Sequence, residues 1–583
     1  MANIMSMVKL RNKVSRNGFD LSRKNAFTAK VGELLPVACI ECLPDDSFDL
    51  EIQHFTRTRP VNTAAYTRIR EYYDWFFVPT NLLWNKFNTV FTRMLDNGQH
   101  AQGIVSNLTL SERIPYTTIS NIQEYLVSRK GKLNAYGYDR SNLSSKLLSY
   151  LGYGDLSNSS NDPLTSDDVV IDDLAVNLFP LLAYQKIYQD YYRNSQWERS
   201  YAPAWNLDYI KGTVDQSIPL DDLRSIPDSV ETMFDLRYRN WNKDLFMGVL
   251  PSSQYGAASI ISTSLATSPQ YLKTSNSSSI GSNLNVNASG YLALGNTSGW
   301  LLQNVDGSSL SSRFSILELR LAEAEQMMNE ITQSTQQDFK SQLEAHWNVS
   351  VSDAYSERCK FIDGSVSNLD ISEVVNNNIT ADNEASIAGK GVGVGQGKCK
   401  FSTKVPGYLM CIYSAVPLLD YSISGCKRMC SRTTASDFAI PEFDAVGMDA
   451  LPRNQLINTT YGTRVPSTRF DNFKILGYVP RYIDYKTAYD EVNGAFRKSS
   501  DGLNDWVAPL KNDYFYDYFS NLYDSGLSSG GSLTYQFFKV NPNILNPIFD
   551  VNADSSVSTD QLWVNAAFDI KAVRSLDRNG LPY

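Results

Sequence analysis

The chain has 583 residues, a mass of 65.4 kDa and a hydrophobic content of 42%, enough for a sizeable core, so a wholly disordered protein is excluded. No run approaches the roughly 18 consecutive apolar residues of a membrane-spanning helix, and we expect no removable signal because the N-terminal segment lacks an apolar stretch. The net charge of −9 is unevenly spread, since residues 1–30 hold seven basic residues and one acidic residue, a net +6 that leaves −15 for the other 553.

Histidine and cysteine are scarce. Three histidines disfavour a histidine-rich metal site, and seven cysteines are too few, and odd in number, for a secreted disulfide scaffold. Cys39 and Cys42 form a CxxC motif within a strand-like segment, and Cys426-x-x-x-Cys430 is a poor second ligand pair for zinc. We therefore expect reduced core cysteines in a cytoplasmic protein, with no metal and no cofactor.

The first elements are predicted to be mainly strands. Residues 30–53 contain two apolar, strand-like stretches around the turn-forming Pro44-Asp45-Asp46, and residues 70–78 are dense in aromatic side chains. Residues 82–95 have roughly helical spacing. Residues 131–170 turn polar, which predicts a loop or surface excursion.

Three segments carry helical signals. Residues 180–193 begin with proline and place tyrosines on one face, and residues 315–331 begin with a capping box of Ser315 and Glu318. A second short helix is predicted at 335–347, with Phe339, Leu343 and Trp347 as its apolar stripe. We interpret these apolar stripes as core.

The remaining pattern is that of an all-β chain, with strands predicted at 407–416, 472–479 and 560–573. Residues 251–312 are rich in Ser, Asn and Gly and carry only Lys273 and Asp306 as charges, which predicts a partly folded surface insertion rather than a flexible linker. The expected organisation is a basic arm (1–30), a first β part (31–250) with an excursion near 100–170, the insertion (251–312), and a helical pair with the remaining strands (313–583) including a glycine-rich loop near 376–398.

No motif indicates an enzyme. The string GKGVGVGQGK at 389–398 fails as a phosphate-binding P-loop, because Val392 stands where the first glycine belongs and Cys399 follows the lysine. No G-x-S-x-G, HExxH or EF-hand pattern occurs. We predict a glycine loop here and no catalytic residue.

The basic N-terminal segment is the one candidate for chemistry. Spaced cations can neutralise phosphates and interleaved aromatic rings can stack on unpaired bases. The candidate DNA-contact residues are Lys9, Arg11, Lys13, Arg16, Phe19, Arg23 and Lys24. Two alternatives stay open: a solvated terminal strand with incidental charge, and an arm that binds neighbouring subunits.

Several segments, in order, resemble the major capsid protein of the small single-stranded DNA phages, the Microviridae, in particular the gokushovirus-like and Bacteroidetes-associated branches. Residues 19–50 (FDLSRKNAFTAKVGELLPVACIECLPDDSFDL) resemble the family's opening, and YDWFFVPTNLLW at 73–84 is similar to its aromatic block. Further similar segments lie at 179–197, 313–351, 368–374, 388–416, 441–451 and 477–497. Departures concentrate in 100–170, 251–312 and 376–398.

The resemblance implies an eight-stranded antiparallel jelly-roll β-sandwich with long loop insertions and a few helices. It also implies a structural, non-enzymatic role: sixty copies assemble in the host cytoplasm into a small icosahedral T=1 shell around circular single-stranded DNA. The implied partners are the chain itself, the DNA, minor (pilot) and DNA-binding virion proteins and a host receptor, with no membrane insertion. Two other classes stay open from the residues alone: a soluble β-sandwich glycan-binding protein, suggested by abundant Tyr, Trp and Asn, and a glycoside hydrolase, which would need two facing carboxylates.

Overall fold

The structure is a computed structural model that describes residues 15–61, 65–92, 114–157, 174–210, 218, 220–224, 226–227, 230–256, 272–274, 285–286, 292–293, 302–304, 316–354, 356–375, 387–422, 425–444, 446–452, 455–456, 475–497, 503–507, 509–510, 534–549 and 560–578. The chain divides into two compact units. One is Gln254–Thr335, and the other combines Met1–Ser253 with Gln336–Tyr583.

A single antiparallel sheet of nine strands dominates the larger unit. In chain order the strands are β1 (Asn17–Asp20), β2 (Arg23–Ala29), β3 (Leu35–Cys42), β4 (Ser47–Thr58), β5 (Ile69–Pro79), β6 (Lys360–Val375), β7 (Ile387–Ser402), β8 (Gly407–Pro417) and β9 (Leu562–Arg574). Short strand pairs lie outside this sheet, for example Tyr116–Thr118 with Ala175–Asn177 and Met448–Pro452 with Ile475–Pro480.

The nine strands occupy eight positions. Their order is β1/β2, β9, β4, β7, β6, β5, β8 and β3. β1 and β2 share the first position because both pair with β9 in one continuous register, and the Leu21 N–H between them donates to the Ile570 carbonyl at 2.8 Å. The basic segment predicted at 1–30 therefore contains an edge strand of the sheet.

The sheet curls so that its two halves pack face to face around one apolar core. Phe27 of β2 contacts Tyr413 of β8, and Phe568 of β9 contacts Trp75 of β5, with ring centroids 5.0 and 6.1 Å apart. β9 alternates buried and exposed residues along its length, so that one face points to this core. The predicted mainly-β, jelly-roll-like sandwich is confirmed.

In chain order the described α-helices are α1 (Phe87–Thr92), α2 (Ile119–Arg129), α3 (Arg140–Leu151), α4 (Phe179–Ile187), α5 (Asp221–Arg224), α6 (Ile316–Ser334), α7 (Phe339–Trp347), α8 (Arg428–Ser431) and α9 (Ile483–Lys486). α3 contacts β3, and α4 contacts β5 and β8. As a result β5 and β8 are buried along almost their whole length, as strands covered on both faces must be.

The polar excursion predicted at 131–170 is wrong where α3 forms. Leu143, Leu147 and Leu151 recur at every fourth position and are buried with the neighbouring Leu148. Asp139 caps the helix by accepting the Ser141 N–H at 2.8 Å, and Gly152, with φ of 92°, ends it. Serines between the leucines gave the segment its polar composition without preventing a core helix.

The glycine loop predicted near 376–398 is also wrong for residues 387–398, which belong to β7 in the middle of the sheet. Glycine recurs at every second position, so all the glycines face one way. A Cβ atom added at Gly393 would lie 2.5 Å from Glu71 Oε2, and one added at Gly397 would lie 2.7 Å from Ser365 Cβ. The glycines make room for the side chains of neighbouring strands; residues 376–386 lie outside the described residues.

The group that needs this room is a polar cluster inside the sandwich. Glu71 Oε1 accepts hydrogen bonds from Thr56 Oγ1 and from the Tyr413 hydroxyl, each at 2.7 Å. His54 Nε2 lies 2.9 Å from Ser367 Oγ and 3.7 Å from Glu71 Oε2. Burial, then the nearby Glu71 carboxylate, raises the pKa of the Tyr413 hydroxyl. The cluster thus joins β4, β5, β6 and β8 through one buried carboxyl group.

We expect Gly393→Ala to destabilise the protein by about 1–3 kcal/mol, because the new methyl group collides with Glu71 and overpacks the sandwich. The matched control is Gly18→Ala in β1, where a Cβ atom meets nothing within 4 Å. Thermal unfolding of the two purified variants measures the difference. Equal melting temperatures for both variants would contradict this account of β7.

A second buried cluster joins both ends of the sheet to α3. Lys146 Nζ of α3 lies 2.7 Å from Glu33 Oε2 and 3.1 Å from Asp560 Oδ2, and the Thr28 hydroxyl of β2 donates to the same Asp560 oxygen at 2.5 Å. Burial acts to raise the pKa of Asp560, but the Lys146 charge and the Thr28 hydroxyl outweigh it and hold that pKa below its usual value. The carboxylate form therefore stabilises the fold.

Replacing Lys146 by Met leaves two buried carboxylates without their cation, and we expect a loss of about 3–5 kcal/mol at pH 7. A carboxyl group with a depressed folded-state pKa stabilises the fold above its unfolded pKa of about 3.9 and loses this contribution as the pH falls through the folded-state pKa. The difference between wild type and Lys146→Met should therefore shrink below about pH 4.

Unfolding at pH 7 and in acid measures both effects. Lys571→Met is the control, because its ion pair with Asp569 is largely exposed, with 69% of the Lys571 side chain open to solvent. A pH-independent destabilisation in Lys146→Met, or one no larger than that of Lys571→Met, would refute the role of the cluster.

Candidate nucleic-acid interface and contact surfaces

The candidate DNA-contact residues lie on or before the edge strand β1/β2. Lys9, Arg11 and Lys13 lie outside the described residues. Phe19 of β1 is half-buried and stands opposite Ala572 of β9. The other three side chains, all exposed, are Arg16, Arg23 and Lys24.

Arg16 has partners within the chain. Its guanidinium donates to the Asp45 carbonyl at 2.6 Å and lies 3.2 Å from the Asp45 carboxylate, in the turn between β3 and β4. Lys404 contacts the same carboxylate, and its hydrogen bond, followed by the Arg16 charge, lowers the pKa of Asp45. Both groups are exposed, so the pair is weak and open to exchange with another anion.

Arg23 and Lys24 differ from Arg16, since neither forms an ion pair with any residue that the structure describes. They stand on β2, whose second side has no strand partner in the described part of the chain. Cations on an edge strand discourage unwanted strand pairing, and they are also free to meet phosphate. The geometry is compatible with both roles.

All seven cysteines are free thiols in the structure. Cys39 and Cys42 lie on β3, and burial raises the pKa of both thiols to about 12. This is opposite to what a reactive or metal-binding thiol requires. Cys426 and Cys430 are exposed, so the prediction of core cysteines is wrong for these two. Over the described ranges, no group of three potential ligands could hold a metal ion.

Two helices expose apolar stripes. On α6 Leu317 is 75% exposed and Leu321 67%, and on α7 Trp347 is 67% exposed. The prediction that these stripes are core is therefore wrong within a single chain. Helical spacing alone does not distinguish a face buried in the subunit from one buried between subunits. Contiguous exposed apolar side chains are typical of surfaces that contact another protein.

None of the described helices has the length and apolar character needed to cross a membrane. The described residues therefore form a curled sheet with a cationic edge strand, and two helices with exposed apolar stripes.

Comparison with known proteins gives one family. The family model described as "Capsid protein (F protein)" matches residues 6–126 and 157–582, nearly the whole chain. The chain is also similar to "Capsid protein VP1" of Chlamydia phage 1, with 22% identity over 562 aligned residues that cover 85% of this chain and 86% of that protein. The jelly-roll-like sandwich agrees with a structural role in a shell. The chain therefore belongs to the phage capsid (F protein) family, the major capsid proteins of the Microviridae, whose members self-assemble into the shell of the virion.

Proposed function

We propose that sixty identical copies of this chain assemble, as pentamers in the host cytoplasm, into a small icosahedral T=1 shell around a circular single-stranded DNA genome. The observation that supports assembly is the exposure of the apolar stripes on α6 and α7. Such side chains are normally covered, and a closed shell provides heterologous contacts in which one chain supplies both sides.

Size-exclusion chromatography with negative-stain microscopy tests the assembly. We expect uniform closed particles, and Leu317→Asp with Leu321→Asp should shift the protein toward small oligomers. The control is Arg320→Glu, which makes the same change of two charge units at an exposed polar position of the same helix and leaves the apolar residues intact. Wild-type protein that stays monomeric at high concentration would contradict the proposal.

The N-terminal segment is the proposed DNA contact. Lys9, Arg11, Lys13, Arg23 and Lys24 neutralise phosphates, Phe19 stacks on a base, and Arg16 exchanges Asp45 for phosphate. The acidic balance of the other residues supports this, because phosphate contact then has to come from local groups of cations. The exposed, ion-pair-free Arg23 and Lys24 are the strongest members of the set.

Neutralising Arg23 and Lys24 to Gln should reduce genome retention and flatten the salt dependence of DNA binding by about 0.7 log units for each phosphate that is no longer neutralised. Arg16→Gln should have a smaller effect because Asp45 already holds its charge. Lys404→Gln is the control, an exposed cation on the same Asp45. Double variants that package and retain full genomes like the parent would refute DNA contact and favour contact with neighbouring subunits.

Residues 251–312 form, in this proposal, an outward projection that binds a host receptor. Gln254–Thr335 separates from the other residues as a compact unit, and the near absence of charge in 251–312 suits a surface that does not meet the genome. The particle also carries minor (pilot) and DNA-binding proteins.

Replacing residues 257–312 by a short Gly-Ser linker should preserve shell assembly and reduce attachment to host cells. A scrambled segment of the same composition is the control for length. Normal attachment by the shortened particles would contradict the receptor role, and failure to assemble despite soluble, folded protein would contradict the outward position.

A further inference from the structure

A cavity of about 470 Å³ lies beside α4 in the larger unit. Its walls come from the end of α4, the π-helical turn Tyr188–Tyr192 that continues it, the segment 197–205 and residues 230–237. This volume is within the range of sites for small organic ligands, about 300–1,000 Å³. No motif in the sequence marks these residues.

The cavity has more cations than carboxylates. Among its lining residues Arg237 pairs with Glu231. The Glu198 carboxylate accepts a hydrogen bond from the Tyr188 hydroxyl at 2.7 Å and forms an ion pair with Lys539 at 3.3 Å. The two remaining guanidiniums have no carboxylate within ion-pair distance in the described part of the chain: Arg193 and Arg199. Arg199 is exposed, at the open side.

The buried polar atoms left unpaired in the lining are both donors. Arg193 donates its Nη1 to the Glu198 carbonyl at 2.6 Å, but its Nε has no partner among the described residues, and neither has Trp205 Nε1. A buried donor without an acceptor costs free energy, which makes such atoms unusual. Burial also lowers the pKa of Arg193, so an anion at this place would relieve the cost of its charge.

Aromatic rings provide the rest of the lining. Trp197 is fixed by its indole N–H, which donates to the Val249 carbonyl at 2.9 Å, and by packing on Phe538 with centroids 4.9 Å apart. Trp205 is fixed by Lys186, whose ammonium lies 4.3 Å from the ring centroid, and Tyr201 lines the same cavity. Pre-oriented rings of this kind bind planar ligands with little loss of side-chain entropy.

Two guanidiniums without a carboxylate partner among the described residues and fixed aromatic rings around one cavity together suit a ligand with both an anionic group and a flat ring. We propose that the cavity binds one nucleotide of a single-stranded nucleic acid. Arg199 and the Arg193 guanidinium contact the phosphate, and the rings of Trp197, Tyr201 and Trp205 contact the base. This inference rests on the proposed enclosure of single-stranded DNA and adds a site away from the N-terminal segment.

Binding of a fluorescent oligodeoxythymidine to the full-length protein, as unassembled subunits, tests the site. Arg199→Gln removes an exposed side chain that has no ion pair among the described residues, and Trp205→Phe keeps an aromatic ring beside the Lys186 ammonium, so both variants should stay folded, with melting temperatures measured alongside binding. Each should weaken binding about tenfold, and Arg199→Gln should also reduce the salt slope by about 0.7. Arg320→Gln, an exposed arginine on α6, is the matched control and should bind like wild type.

Competition identifies the ligand chemistry. Thymidine monophosphate should displace the oligonucleotide better than inorganic phosphate does, and equal competition would overturn the contact with the base. Unchanged binding in Arg199→Gln and Trp205→Phe would overturn the site, while normal shells and packaging by the same variants would leave the proposed function intact. Failure of wild-type protein to form shells would instead refute the proposed function, whatever the binding result.

Discussion

Pairing of β9 with β1/β2 on one side and β4 on the other holds the subunit together. Leu562 of β9 stands opposite both Ala29 of β2 and Thr58 of β4, so β9 joins these two strands from the N-terminal part of the chain. The buried cluster of Lys146, Glu33 and Asp560 lies where β9 begins and fixes α3 to the same place. Because these contacts connect residues separated by almost the whole chain, the sandwich is complete only after β9 has docked, and such long-range pairing is slow.

The polar centre of the sandwich places a second constraint on the fold. A buried Glu71 needs donors, and Thr56 and Tyr413 supply them from the strands on either side of the core. This arrangement works only if β7 carries no side chains on the face that points to the cluster, which explains a glycine-rich strand in a position where glycine is usually unfavourable. An unpaired carboxyl group is costly in any other register, so the cluster also favours one pairing of the strands.

The sequence predicted the β elements well because their signals are local. The turn at Asp45 and the strands around residues 70–78, 407–416 and 560–573 lie where alternation and turn residues placed them. Glycine at every second position of β7 has the period of a strand, but the reason for it is the Glu71 cluster, which is brought there only by folding. The helical spacing of Leu143 and Leu147 in α3 was not recognised, because the serines between them made the segment polar in composition.

The functional surfaces were harder to predict, for two physical reasons. The stripe of Leu317 and Leu321 has the same spacing whether a subunit or its neighbour covers it. The cavity near α4 collects Arg193, Trp205 and Arg237 from separate turns, and no spacing in the sequence records that they meet. Several tyrosines lie in the core with hydroxyls bonded to buried groups, as Tyr188 does to Glu198.

The distribution of charge explains why binding of a polyanion has to be local in this protein. The net negative charge of the chain repels nucleic acid, and salt screens this repulsion at separations beyond about 8 Å under physiological conditions. Most buried cations are committed to carboxylates, as Lys146 and Arg237 are. Among the cations without an ion pair in the described part of the chain, two sets lie in different settings: Arg23 and Lys24 on an open strand edge, and Arg193 and Arg199 at a cavity with aromatic walls. Contacts at the edge depend on counterion release and weaken steeply with salt, whereas stacking in the cavity does not. A strand of DNA held by both would therefore leave the edge first as the ionic strength rises and would stay longest at the cavity.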